Sequence, residues 1–135
     1  MNISASLIGE LTQRARAASA HAHAPYSNFP VGAAVLTTDG QIYSGANVEN
    51  ASYGLSICAE RSAIFQAVAH GVRSIRAIAV YTPTVATTPP CGACRQVMTE
   101  FGPDVLVICC CDDAAAQQQY TLAELLPLPF GAGNL

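Results

Sequence analysis

The stretch "CAERS", residues 58 to 62, places a thiol, a carboxylate and a guanidinium within one turn of a segment that reads as helix. Charged residues make up only 11% of the chain, so Glu60 and Arg61 standing together after Cys58 are conspicuous. A second stretch, "PPCGACRQ" at 89 to 96, has a similar design: Cys91 and Cys94 open another helix-like segment. Their spacing of three puts both thiols on one helix face. Pro89 and Pro90 suit the approach to a first turn. A helix N-terminus carries partial positive charge, which stabilises thiolates, and thiolates bind zinc. Each segment is followed by an apolar, strand-like run, "IRAIAVYT" at 75 to 82 and "DVLVICCC" at 104 to 111. Two cysteine-led helices alternating with strands point to an α/β fold.

Working outward, residues 4 to 20 read as a helix with Ser4 or Ser6 as its cap, since Leu7, Ile8, Leu11 and Ala15 recur at helical spacing. "PYSNFP" at 25 to 30 is loop. "VGAAVLTTDGQIYSGANV" gives two short strands around Asp39-Gly40, an antiparallel hairpin. "ENASYGLSI" is loop, 58 to 70 a helix ending at His70-Gly71, and 91 to 101 a helix stopped by Gly102-Pro103. "TLAELLP" is a short helix ended by Pro127. The predicted order is α-β-β-α-β-α-β-α, with parallel pairing across the later helix crossovers. The expected fold is a three-layer α-β-α sandwich: a mixed central sheet with helices on both faces, in one domain over residues 1–135.

Composition narrows the function. Hydrophobic residues are 51% of the chain and mean hydropathy is +0.31. The longest candidate run, "VLVICCC" at 105 to 111, is far short of the roughly 20 residues a spanning helix needs. The excess reads as core plus subunit interface, with no membrane role. Net charge is −3 and there is no Lys/Arg block, which argues against nucleic acid as a partner. The opening stretch lacks the pattern of a signal peptide, which predicts a cytoplasmic protein. Its six cysteines are then expected to be reduced, for metal or catalysis.

Cys58 at the start of one helix can meet Cys91 and Cys94 at the start of another. Three protein ligands on zinc leave a fourth position for water, the arrangement of a catalytic site. Zinc lowers the pKa of its bound water to about 7, and Glu60 would shuttle protons beside it. One difficulty is geometric, because residues two apart on a helix point about 200° apart. Cys58 and Glu60 face one metal only if both project ahead of the helix from its first turn. Arg61 would offset thiolate charge by donating to sulfur. The plainer alternatives are a CxxC redox pair, buried structural thiols and a solvated Glu60–Arg61 pair. The Cys109–Cys111 run reads as buried strand, His21 and His23 lack a third metal partner, and Ser27 and Asn28 read as turn-formers.

These motifs resemble the zinc-dependent cytidine deaminases. The resemblance runs through "PYSNFPVGAA" (25 to 34), "NVENASYGL" (47 to 55), "ICAERSAI" (57 to 64), "PPCGACRQVM" (89 to 98) and "LLPLPF" (125 to 130). It implies Zn²⁺ ligands at Cys58, Cys91 and Cys94, a catalytic acid/base at Glu60, and Arg61 bonding the ligand sulfurs. It implies ribose contacts at Asn47 and Glu49, and Phe29 against the pyrimidine. Ala51, Tyr53 and Phe130 match segments that reach a neighbouring subunit's substrate. The implied activity is hydrolytic deamination of cytidine and deoxycytidine to uridine and deoxyuridine, in pyrimidine salvage, by a homotetramer with shared sites. The alternatives are a blasticidin S-type or other nucleoside deaminase, which "NVEN" argues against, and a non-enzymatic structural zinc module. The module needs a fourth protein ligand, for which only Cys109–Cys111 are spare.

Overall fold

The computed structural model describes residues 2–135. Helix α1 (Ala5–Ser19) is capped by Ser4, whose hydroxyl accepts from the Leu7 N–H at 3.1 Å. Strands β1 (Gly32–Thr37) and β2 (Ile42–Ala46) form the expected hairpin. Its turn uses Gly40 at φ +87°, in the left-handed region that glycine occupies without cost. Helix α2 (Ala59–Ala69), strand β3 (Ile75–Tyr81), helix α3 (Gly92–Phe101) and strand β4 (Leu106–Cys110) then alternate.

The sheet is mixed, in the order β2-β1-β3-β4-β5. β1 pairs antiparallel with β2 and β3, and β3 pairs parallel with β4 across the α3 crossover. Strand β5 (Gln118–Thr121) pairs antiparallel with β4 and was not expected from the sequence. It is an edge strand, mostly exposed, so "QQYT" carries none of the apolar alternation that marks a half-buried strand. The short helix α4 (Leu122–Leu125) follows at once, fixed by a capping box between Thr121 and Glu124.

Two cores flank the sheet. On one face Leu11 and Ala15 of α1 pack on Ala34, Leu36, Ala77, Ala79 and Ile108. On the other, Ala63, Ile64 and Ala67 of α2 and Cys94 and Met98 of α3 pack on Val35, Ile78, Val80 and Val107. The expected α-β-α layering is thus observed. Burial on both faces explains why β1 and β3 read as unbroken apolar runs. Among the described residues, no helix is long and apolar enough to cross a membrane.

The helices lie close because the residues beneath them are small. A Cβ on Gly32 would stand 1.8 Å from the Ala15 carbonyl oxygen of α1. A Cβ on Gly45 would stand 2.5 Å from the Ala63 nitrogen of α2. Both obstacles are backbone, so a helix would have to move.

Gly45→Ala is therefore expected to cost about 1–3 kcal/mol of stability through overpacking. Gly9→Ala, in the interior of α1 with nothing within 4 Å of the new methyl, is expected to gain about 0.5–1 kcal/mol. Urea unfolding of the two variants checks both signs.

Candidate metal centre and active-site cleft

Helices α2 and α3 begin at the same place, and each begins with a cysteine. Cys58 is the N-cap of α2 with extended backbone, φ −69° and ψ 156°. Cys91 is the N-cap of α3 with φ −68° and ψ 166°. Neither side chain caps a backbone N–H of its own helix, so both sulfurs are free to face each other. Because Cys58 lies outside the helical spiral, the 200° separation from Glu60 does not apply. An extended cap followed by the second helical residue lets both line one cleft. Cys94 reaches the same point from the first turn of α3.

The Cys58 and Cys91 sulfurs are 3.8 Å apart, and all three thiols lie within 4.8 Å of one another. An ideal zinc tetrahedron with ~2.3 Å metal–sulfur bonds has an edge of about 3.8 Å. The donor set and spacing therefore fit Zn²⁺. Among the described residues no fourth His, Cys, Asp or Glu joins the group. Cys109 and Cys110 lie buried in the two opposite cores, and the Cys111 thiol donates to the Asp113 carbonyl at 3.4 Å. That removes the ligand a closed structural site would need. His21 and His23 do not join either. His23 acts through its backbone, its N–H donating to the Asn47 carbonyl at 3.0 Å and its carbonyl accepting from Glu49 N–H at 2.8 Å.

Charges in the cluster are finely set. The neighbouring Cys94 thiol, with Arg61 and Cys91, pulls Cys58 down to about 5, against the opposing effect of burial. The same contact with Cys58, together with burial, pushes Cys94 up. Arg61 Nη2 donates to the Cys58 sulfur at 3.4 Å, and this contact holds the guanidinium charged. Arg61 Nε is buried without a hydrogen-bond partner, an unused donor on the same group. Glu60 is only 4% exposed. Burial raises its carboxyl to about 7, with the Cys58 charge adding to the effect. A group poised there can both take and return a proton at neutral pH.

A cleft of about 460 Å³ opens over this centre, lined by Phe29, Asn47, Glu49, Cys58, Glu60 and Cys91 among others. The loop at 25 to 30 forms one wall and is tied down by the "NVEN" residues. Asn47 Oδ1 accepts from Val31 N–H at 2.9 Å, and its Nδ2 donates to the Phe29 carbonyl at 2.9 Å. Glu49 Oε1 accepts from the N–H groups of Tyr26 and Ser27 at 3.0 and 3.1 Å. Glu49 Oε2 accepts from the Ser27 hydroxyl. Sequence reasoning missed Ser27, Thr82, Thr88 and Pro89, which also line the cleft. Thr82 and Thr88 lie in a loop with no motif of its own, though Pro89 adjoins "PCGAC".

Ala51, Tyr53 and Phe130 do not enter this cleft. Tyr53 is 74% exposed and stands beside Tyr26, with ring centroids 5.8 Å apart. Phe130 is 61% exposed, and its carbonyl accepts from Gln96 Nε2 at 2.8 Å. Arg95 braces the start of α3, its Nε donating to the Pro90 carbonyl and its Nη1 to the Leu125 carbonyl, both at 2.8 Å.

Comparison with known proteins places this architecture. Residues 6–110 match the family model of the cytidine and deoxycytidylate deaminase zinc-binding region. A cytidine deaminase of Sporosarcina psychrophila is 43% identical over 128 residues, 95% of this chain and 94% of that protein. Another, of Halalkalibacterium halodurans, is 48% identical over 114 residues, 84% of this chain and 86% of that protein. The crystal structure of cytidine deaminase from Burkholderia pseudomallei superposes with a TM-score of 0.86 at 48% identity, covering 90% of this chain and 98% of that one. That similarity extends over nearly the whole chain and includes the segments that bear the three thiols, so this protein belongs to the zinc-binding cytidine and deoxycytidylate deaminase family.

Proposed function

We propose that this chain is a zinc-dependent hydrolase that converts cytidine and deoxycytidine to uridine and deoxyuridine with release of ammonia, a reaction of pyrimidine salvage. The observation that carries the reading is the meeting of three thiols at two helix N-termini with the buried carboxyl of Glu60 lining the same cleft. Cys58, Cys91 and Cys94 hold Zn²⁺, which when bound supplies Lewis acidity and a water activated at neutral pH. Glu60 would relay both protons of that water in turn, one to ring N3 and one to the departing amine. The water oxygen becomes the C4 carbonyl and the amine leaves as ammonia, so atoms balance without a redox partner. Arg61 offsets the negative charge of the thiolates, which would otherwise weaken the metal as a Lewis acid.

Phe29 packs on the pyrimidine, while Asn47 and Glu49 address the sugar hydroxyls. Asn47 keeps one amide hydrogen, and Glu49 keeps lone pairs, beyond their bonds to the loop. Ala51, Tyr53 and Phe130 stand exposed outside the cleft and complete a neighbour's site in a homotetramer. The exposed Leu55 and Phe65 are consistent with burial between subunits. The chain acts as one catalytic domain over 1–135, in the cytoplasm, on a free nucleoside and without nucleic acid or membrane. A blasticidin S-type activity lacks support from the "NVEN" loop as it stands here.

Purified protein is expected to release ammonia from cytidine and not from free cytosine. Release from neither substrate, with zinc bound, would replace this reading with another substrate or a structural zinc. Glu60→Ala is expected to lower kcat by at least ~10³-fold while zinc content by metal analysis is unchanged. Light scattering is expected to give four times the 14.0 kDa chain mass, and a fully active monomer would refute shared sites.

Zinc removal exposes the cost of burying Glu60. Its folded pKa of about 7 lies above the ordinary 4.5. The folded state thus holds this proton where the unfolded state has lost it, and stability from this group falls as pH rises through that window. The zinc-free Glu60→Gln variant is expected to gain on zinc-free wild type between those pH values, by about 3 kcal/mol in full. Cys58 titrates with the opposite sign, and its charge is part of what raises Glu60, so the difference between the denaturation curves reads Glu60 together with its coupling to Cys58.

A further inference from the structure

Ser27 is not accounted for by its turn alone. Its backbone N–H donates to Glu49 Oε1 at 3.1 Å and its hydroxyl donates to Glu49 Oε2. One residue therefore grips both oxygens of one carboxylate. The hydroxyl has a single proton to give. The Phe29 N–H donates to the same Oγ at 3.1 Å, occupying a lone pair and leaving the O–H for the carboxylate. Oε1 also takes the Tyr26 N–H at 3.0 Å, so Oε2 is the less committed oxygen. Ser27 and Glu49 line the main cleft and also a second cleft of about 250 Å³ beside Tyr26 and Tyr53, so the pair forms the wall between them.

We propose that Ser27 is a positioning residue for substrate binding, whose hydroxyl locks the plane of the Glu49 carboxylate so that Oε2 meets a sugar hydroxyl. The inference rests on the reading that Glu49 addresses the sugar. A carboxylate on a loop would otherwise rotate, and each substrate molecule would have to order it on binding. Glu49 is also held below the ordinary carboxylate range, chiefly by the Ser27 hydroxyl, as expected where that O–H bonds the ionised form. Ser27 is exposed on the cleft wall, which leaves room for a methyl group in Ser27→Thr.

The test compares Ser27→Ala, Ser27→Thr and Glu49→Gln in the zinc-loaded enzyme, with cytidine and 3′-deoxycytidine as substrates. Melting temperature and zinc content serve as folding controls. Ser27→Ala is expected to raise KM for cytidine about tenfold, the scale of one charge-assisted hydrogen bond, with kcat within about twofold. The proposal assigns Oε2 to the 3′-hydroxyl, the ring hydroxyl that cytidine and deoxycytidine share, so KM for 3′-deoxycytidine, which lacks it, is expected to change little, and Ser27→Thr to restore cytidine binding. An equal rise in KM for both substrates, or a loss that Thr does not rescue, overturns the proposal and leaves Ser27 a turn-former. In that case the sugar-binding reading still stands if Glu49→Gln penalises cytidine more than 3′-deoxycytidine. If Glu49→Gln leaves cytidine KM unchanged, the sugar-binding reading falls and the proposal with it.

Discussion

Two helices aimed N-terminus first at one point impose the central constraint on this molecule. Three sulfurs within 4.8 Å would repel one another once charged. Their assembly is tolerable because two helix dipoles and Arg61 face them, and because a divalent cation can replace their protons. Everything else holds those two helix starts in place. Gly45 lets α2 lie against β2, and Arg95 pins the start of α3 to Pro90 and to the end of α4. Even the C-terminal elements thus bear on the metal centre through one guanidinium.

The carboxyl beside the cluster is in tension with it. Glu60 is buried, and the nearest negative charge, Cys58, raises its pKa further. Such a group is poor for stability and good for proton transfer. Arg61 lowers it only weakly, since that guanidinium is engaged with sulfur. Adjacent residues with opposite charges are therefore not a salt bridge here. Each serves a different partner, and that separation keeps the carboxyl near neutrality.

Much of this was legible in the sequence because the informative residues sit at element boundaries. Cys58 and Cys91 read as first residues of helices and are caps, a one-residue difference that also resolves the orientation of Glu60. The hairpin turned where Asp39-Gly40 indicated. Strand β5 was invisible, since an exposed edge strand needs no apolar face and "QQYT" offers none. The capping box at Thr121 and Glu124 is the one sequence signal at that edge, a threonine and a glutamate three residues apart. Ser27 reads as a turn-former because its second partner, Glu49, is remote in sequence, and no local pattern announces a contact 22 residues away. The exposed positions of Tyr53 and Phe130 follow from tertiary placement, which residue type alone does not encode.

The alanine content of the two cores has a consequence for how this chain can change. Ala15, Ala33, Ala34, Ala59, Ala63, Ala67, Ala77 and Ala79 are all fully buried. Alanine loses no rotamer freedom on folding, so this core forms at low entropic cost while adding little apolar area per residue. Beneath the helices, at Gly32 and Gly45, a single added methyl presses helix against strand. Sequence drift at these positions is thereby one-sided: a buried alanine has little left to remove, and a methyl added at Gly32 or Gly45 meets helix backbone. Variation is channelled outward, to the surfaces and loops where substrates and neighbouring chains are met.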